Sequence, residues 1–390
     1  MSDACSMVGW AHTRFGRLAD DDLESLIVRV TREAIADAGV AAADIDAIFV
    51  GLFNNGFSKQ DFPASLVLQA DPDLRFKPAT RCENACATGS AALQAGLNYL
   101  QAGKGRLVLV VGAEKMTDTP GPKVGENLLA ASYIKEGTGG ANSFVGVFGQ
   151  IAQAYLDHTG APPEALARIA AKNHRNGVDN PYAQLRKDLG FDFCNTTTPG
   201  NPLVAPPLRR TDCSPVSDGA AAVVLADAAT AAGMAKAVRF RATAQVNDYL
   251  PVGGRDLTRF EGAERAWAQA LGAAGVRLDD LSLAEVHDCF TIAELIEYEA
   301  MGLTPLGQGH RAIDEGWVEK DGRLPINPSG GLKAKGHPIG ATGVSMHVLC
   351  AMQLTGTAGE MQIPGADLAG VFNMGGAAVA NYVSILERAR

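Results

Sequence analysis

Apolar residues recur at helical spacing early in the chain, at Leu23, Leu26, Ile27, Val30, Ala34 and Ala38. That period predicts a helix over Leu23–Ala38, with Gly39 placed to stop it. Residues 44–50 read as a turn into a buried strand, and 80–84 as a short strand or loop. Residues 87–100 are rich in Ala and Gly, with Leu93, Leu97 and Leu100 spaced along them. A helix apolar nearly all round belongs in the interior, so this one is expected to be central. The run Leu107-Val108-Leu109-Val110-Val111 predicts a fully buried strand of parallel type.

The stretch from about 115 to 210 is more polar and less periodic. It contains Gly137-Thr138-Gly139-Gly140, helical patterns at 150–158 and 164–174, and a Pro-rich exit at 202–207. It reads as an insertion laid over the face that carries the chemistry, not as another core layer. Ser217-Asp218-Gly219 then leads into a buried strand at 220–225, and 235–238 marks the junction between two halves.

The second half repeats the first. Ala38-Gly39-Val40 with Asp44-Ile45 returns as Ala274-Gly275-Val276 with Asp280-Leu281, and Ala87-Thr88-Gly89 returns as Ala341-Thr342-Gly343. A helical pattern precedes the first repeat and a strand follows it; an Ala-rich helix and a strand follow the second. The same elements in the same order indicate a duplicated βα unit. A pseudo-two-fold would bring the starts of the two Ala-rich helices together, and with them Cys86 and His337.

The 390 residues suggest two or three domains. A hydrophobic fraction of 47% and a charged fraction of 20% are those of a globular chain. The net charge of −9 leaves no basic surplus for phosphates and argues against nucleic acid as a partner. Seven scattered cysteines without a C-x-x-C pair point to a reduced, cytoplasmic protein. Neither a secretory leader nor a membrane span is legible: the N-terminus lacks an apolar run and 107–111 is too short to cross a bilayer.

Cys86 opens a helix, where unpaired N–H groups and the helix dipole favour a thiolate, and a nearby imidazole would favour it further. His337 lies between Gly336 and Pro338 in a Gly-rich turn that lets a ligand approach closely. The preceding string from Asn327 through Ser329, Gly330 and Gly331 to Lys333 and Lys335 could line a phosphate or pantetheine path or form a solvated loop. His287 and Cys289 follow a strand at 283–286, where α/β sites gather, and could polarise an oxygen and move a proton. No zinc spacing, Walker A string, G-x-S-x-G elbow or complete G-x-G-x-x-G is present.

Taken together, Asn84 to Ser90, Ser217 to Ala222, His287 to Phe290, Asn327 to Gly343 and Asn373 to Gly376 resemble the thiolase superfamily, most closely its sterol-carrier-protein type and related bacterial acetyl-CoA acetyltransferases. The resemblance implies an α/β protein with the five-layered αβαβα fold, built from two duplicated halves, 1–234 and 235–390, with an inserted loop domain at about 115–210. It implies acyl-CoA substrates, coenzyme A as co-substrate with no tightly bound cofactor or metal, and a homodimer or homotetramer. Cys86 would be the acylated nucleophile, and His337 would activate it and help form an oxyanion site. His287 stands where many thiolases have an asparagine at the oxyanion site. Many thiolases also carry a C-terminal Cys-x-Gly; here Asn373-Met374-Gly375 lacks that cysteine, and Cys289 is the candidate to replace it. Ser329, Gly330 and Gly331 would lie on the coenzyme A path. The alternatives are a thiolase-like retro-aldol lyase, an acyltransferase to another acceptor with a small partner protein, or a non-catalytic acyl-CoA or lipid carrier.

Overall fold

The computed structural model describes residues 4–136 and 143–389, so the 137–140 glycine string lies outside the described residues. The strands of the main sheet are β1 (Ser6–His12), β2 (Ala47–Gly51), β3 (Ala79–Cys82), β4 (Leu107–Glu114), β5 (Gly219–Ala226), β6 (Val238–Asn247), β7 (Leu283–Glu285), β8 (Leu368–Gly375) and β9 (Ala380–Arg388). The helices that build the frame and the site are α1 (Leu23–Ala38), α2 (Thr88–Gln101), α3 (Phe144–Thr159), α4 (Glu164–Val178), α5 (Glu261–Ala274), α6 (Thr291–Ala300), α7 (Gly331–Lys335) and α8 (Ile339–Leu354).

The nine strands run in the order β3-β2-β4-β5-β1-β6-β9-β8-β7. In the first half β2 is parallel to β3 and β4, while β5 is antiparallel to β4 and β1. The second half reproduces this. β7 is parallel to β8, β9 is antiparallel to β8 and β6, and a parallel bridge from Ala284 to Ile326 stands in for the outermost strand. The halves join where Ser6 and Met7 of β1 pair with Arg239 and Val238 of β6. β4 is therefore of mixed type, parallel on one side and antiparallel on the other, which its apolar run alone does not encode.

Alternation along β4 explains the layers. Leu107, Leu109 and Val111 pack with Leu26, Ile27 and Val30 of α1, while Val108 and Val110 face Leu93 and Leu97 of α2. On the other side, the α5 residue Trp267 packs on Phe372 of β8, ring centroids 6.3 Å apart. The order is α1, first strands, α2 with α8, second strands, α5: the expected five-layered αβαβα arrangement. Local signals set the ends. Asp22 and Ser25 form a reciprocal cap on α1, and Gly39 and Gly275 end α1 and α5 at φ 68° and 65°.

The two central helices meet at their starts through glycines. A Cβ on Gly343 would lie 2.3 Å from the Ser90 nitrogen, and one on Gly89 2.7 Å from the Val344 nitrogen. A Cβ on Gly340 would lie 2.4 Å from the Ala113 carbonyl oxygen. Backbone can pack on backbone only because these side chains are missing. The buried Glu114 carboxylate, at the end of β4, accepts from the N–H groups of Phe53, Asn54 and Gly340 and so ties α8 to the loop after β2.

The segment between β4 and β5 departs from the sequence reading. Phe144, Val147, Phe148, Ile151 and Tyr155 of α3 belong to the same buried cluster as Trp267 and Phe372, and Phe148 stacks on Phe290 at 4.3 Å. In α4, Lys172 forms a buried ion pair with Glu294 of α6 at 2.5 Å. Part of this segment is thus core, because its apolar faces are covered by the second half. Among the described residues no helix is long and apolar enough to cross a membrane.

Candidate active site

Cys86 lies on the turn between β3 and α2. The turn is tight: Ala85 sits at φ 48°, the Asn84 N–H donates to Thr88 Oγ1 (2.9 Å), and a Cβ on Gly375 would stand 2.3 Å from the Asn84 carbonyl oxygen. The sulfur is buried, with the N–H groups of Gly376 and of Cys86 itself directed at it. Burial pushes its thiol up to about 12; those two N–H groups oppose the shift and the Glu114 carboxylate adds to it. The helix start, which favours a thiolate, is outweighed here by desolvation of the sulfur. Cys86 rests as a thiol.

His337 is held by its neighbours. Its N–H donates to Ser217 Oγ (3.0 Å), and a Cβ on Gly336, at φ 113°, would lie 2.6 Å from that same oxygen. The Thr342 hydroxyl donates to the Pro338 carbonyl (2.9 Å) and so must accept from His337 Nδ1 at 2.7 Å. The proton is thereby assigned to Nδ1, and Nε2 is left as a lone pair without a partner. Burial, then the charge of Lys335, pulls this histidine down to about 3.

His287 follows β7 and is fully buried. Its Nδ1 lies 2.9 Å from the amide nitrogen of Asn373, and its Nε2 has no partner. Burial, His337 and Lys335 hold it well below the usual histidine range. The two imidazoles meet edge to face at 5.1 Å, and one donor atom each of Cys86, His287 and His337 lie within 4.8 Å of one another. These donor types could suit a soft divalent ion. However, Asn373 Nδ2 also donates to the Cys86 carbonyl (3.1 Å), which can only accept, so the amide NH₂ faces His287 and claims the Nδ1 lone pair. The remaining ring nitrogen carries hydrogen, so the set does not fit a metal.

Cys289 is buried beside this group. Burial, with the nearby Cys86 thiol next, pushes its thiol well above the usual range. The intervening Asp288 turns away to accept from the N–H groups of Leu332 (2.6 Å) and Lys333 (3.1 Å), anchoring α7 on the approach to His337. Burial first, then Glu294, raises Asp288 to about 7.

Ser329, Gly330 and Gly331 are not brought to the cluster. All three are buried; Ser329 Oγ donates to Glu285 (2.6 Å), and Cβ atoms on Gly330 and Gly331 would collide with Gly177 and Asp288. Lys333 and Lys335 are buried too, beside His174 and Ser345, not in a solvated loop. An apolar cavity of about 230 Å³ lies elsewhere, lined by Ala131, Tyr133, Val147, Leu250, Leu257 and Ala377. Ala377 adjoins Gly376, whose N–H faces the Cys86 sulfur. Sequence reasoning gave no part to Asn373, Thr342, Glu114 or Gly376; the nearest signal was the glycine-rich 373–376 string.

Comparisons with known proteins identify the family of the chain. The thiolase N-terminal domain matches residues 5–229 and the thiolase C-terminal domain-like family matches 245–388. The chain belongs to the thiolase family. It is 37% identical to an acetyl-CoA acetyltransferase of Methanothermobacter thermautotrophicus, over 98% of this chain and 99% of that one. It is 32% identical to sterol carrier protein 2 of Bos taurus, over 95% of this chain and 69% of that one. Among solved structures, the Ltp2-ChsH2(DUF35) aldolase superposes with a TM-score of 0.84 at 21% identity, covering 100% of this chain and 98% of that chain; this likeness concerns the fold alone.

Proposed function

We propose that this chain is an acyl-CoA acyltransferase, a thiolase of the acetyl-CoA acetyltransferase type, which makes or cleaves 3-oxoacyl-CoA through an acyl-enzyme on Cys86. The observation that carries the reading is the pairing of one buried thiol with two imidazoles, one offering a lone pair and the other an N–H.

In the degradative direction His337 Nε2 takes the Cys86 proton as the sulfur attacks the 3-oxo carbon. The developing alkoxide draws on backbone N–H groups of Cys86 and Gly376. The C2–C3 bond then breaks, leaving the acyl group on Cys86 and an acetyl-CoA enolate. His287 Nε2–H stabilises the enolate oxygen, and the Cys289 thiol protonates its carbon. The Cys289 thiolate next takes the proton of incoming CoA-SH, whose sulfur attacks the acyl group. Cys86 leaves and recovers its proton from His337. Coenzyme A is a co-substrate throughout. The cavity beside Ala377 is the proposed berth for the acyl or pantetheine arm, in place of the Ser329 to Gly331 path. We take the working form to be a homodimer or dimer of dimers in the cytoplasm, acting in lipid metabolism.

Incubation with acetyl-CoA or acetoacetyl-CoA followed by mass spectrometry should find one acyl group on Cys86. Cys86→Ala should lose it together with turnover, by on the order of 10³-fold or more. An unmodified wild-type Cys86, with full turnover in Cys86→Ala, would sink the reading. Cleavage without free CoA would favour a retro-aldol lyase instead.

A further inference from the structure

Asn373 is fully buried at the end of β8, and its whole amide is spent inside the site. Its Oδ1 accepts from the Ser90 hydroxyl at 2.8 Å. Its Nδ2 reaches the Cys86 carbonyl at 3.1 Å and His287 Nδ1 at 2.9 Å. The amide cannot be turned around, because a carbonyl oxygen facing the Cys86 carbonyl would set two acceptors together. The missing side chain of Gly343 keeps its place open, since a Cβ there would lie 2.5 Å from Asn373 Oδ1. A neutral imidazole has one lone-pair nitrogen and one N–H. If Asn373 takes the Nδ1 lone pair, the hydrogen sits on Nε2.

We propose that Asn373 is a positioning residue that locks His287 as its Nε2–H tautomer, so that in the resting site His287 presents a donor while His337, locked by Thr342 in the opposite tautomer, presents a lone pair. The two rings are the same chemical group in the same buried space. What separates an oxyanion donor from a base is one partner each, an amide NH₂ for one and a hydroxyl lone pair for the other. The tautomer stands on geometry alone; its catalytic consequence rests on the acyl-transfer reading above.

The charged and titratable groups around His287 are compatible with such a lock. His337 and Lys335 act on it by charge and oppose a second proton, Cys86 and Cys289 rest as thiols, and the raised Glu297 carboxyl lies by the His287 backbone. None of them is hydrogen-bonded to Nδ1, where Asn373 is the partner shown.

Asn373→Asp reverses the lock. A carboxylate can only accept, so it draws hydrogen to Nδ1 and leaves Nε2 a lone pair, unless the ring takes a second proton. NMR of ¹⁵N-histidine-labelled protein, with the His287 signals assigned by their loss in His287→Gln, should show protonated Nε2 and bare Nδ1 in the wild type. Asn373→Asp should show the reverse at pH 8. Its kcat on acetoacetyl-CoA should fall by on the order of 10²-fold, with little change in KM. Activity should partly return as the pH is lowered, because the imidazolium regains an Nε2–H; the wild type should show no such rise. A protonated Nδ1 in the wild type would overturn the proposal even if the variant fails to fold. So would an Asn373→Asp enzyme that keeps the wild-type tautomer and pH profile. The expected tautomers in a protein that never acylates Cys86 would support the lock and discard the acyl-transfer reading.

Discussion

In the first half, residues 115–218 separate β4 from β5; in the second half, only 376–379 separate the corresponding β8 and β9. The strands on either side are the same in order and direction, so the frame does not account for the difference. The short turn presents one fixed N–H, from Gly376, to the Cys86 sulfur. The long connection lays α3 and α4 against the second half and helps to wall the cavity. The short turn supplies a donor at the reacting sulfur; the long connection supplies cover and room.

Four substitutions bear on that contrast. Phe148→Ala, in α3, should destabilise the fold by about 3–5 kcal/mol in a urea titration, because Phe148 is buried and stacked on Phe290. A cost near zero would return the long connection to the status of a cover. Gly343→Ala, at the helix crossing, should cost about 2–3 kcal/mol by the same measurement, since its Cβ must enter at 2.3 Å from backbone.

The third tests the buried site histidine by pH. His337 is pulled down to about 3 from a free value near 6.5, so the folded chain binds fewer protons than the unfolded one in between. Its contribution is present above 6.5 and is lost as the pH falls toward 3. His337→Gln should remove that slope, improving stability at pH 5 relative to pH 7.5 by about 2 kcal/mol compared with the wild type. An unchanged slope would mean that His337 is not buried neutral. The smallest effect belongs to Leu203, exposed in the long connection of the first half: Leu203→Ser should change stability in a urea titration by less than about 0.5 kcal/mol.

Local signals carried much of the frame. The period of apolar residues marked α1 from Leu23 to Ala38, and repeated Gly-Val pairs marked matching helix ends at Gly39 and Gly275. β4 was read only as far as Val111 because Gly112-Ala113-Glu114 lacks branched apolar side chains, although the ladder runs to Glu114. Lys333 and Lys335 suggested solvent by their charge, and only the packed fold shows them buried. The helix starts pointed to Cys86 and His337 because each sits in its own short string. Asn373 was legible only as a cysteine that was missing, since its meaning comes from residues 86, 90 and 287, which the chain brings together from both halves.

The glycine crossing has an evolutionary consequence. While the two halves were alike, either copy could have taken either part. Once one helix start bore the thiol and the other the imidazole, and their backbones met without side chains between them, neither copy could serve alone or exchange roles with its twin. The contact between Gly89 and Gly343 acts as a ratchet on the gene: it keeps two divergent descendants of one unit bound to a shared fate.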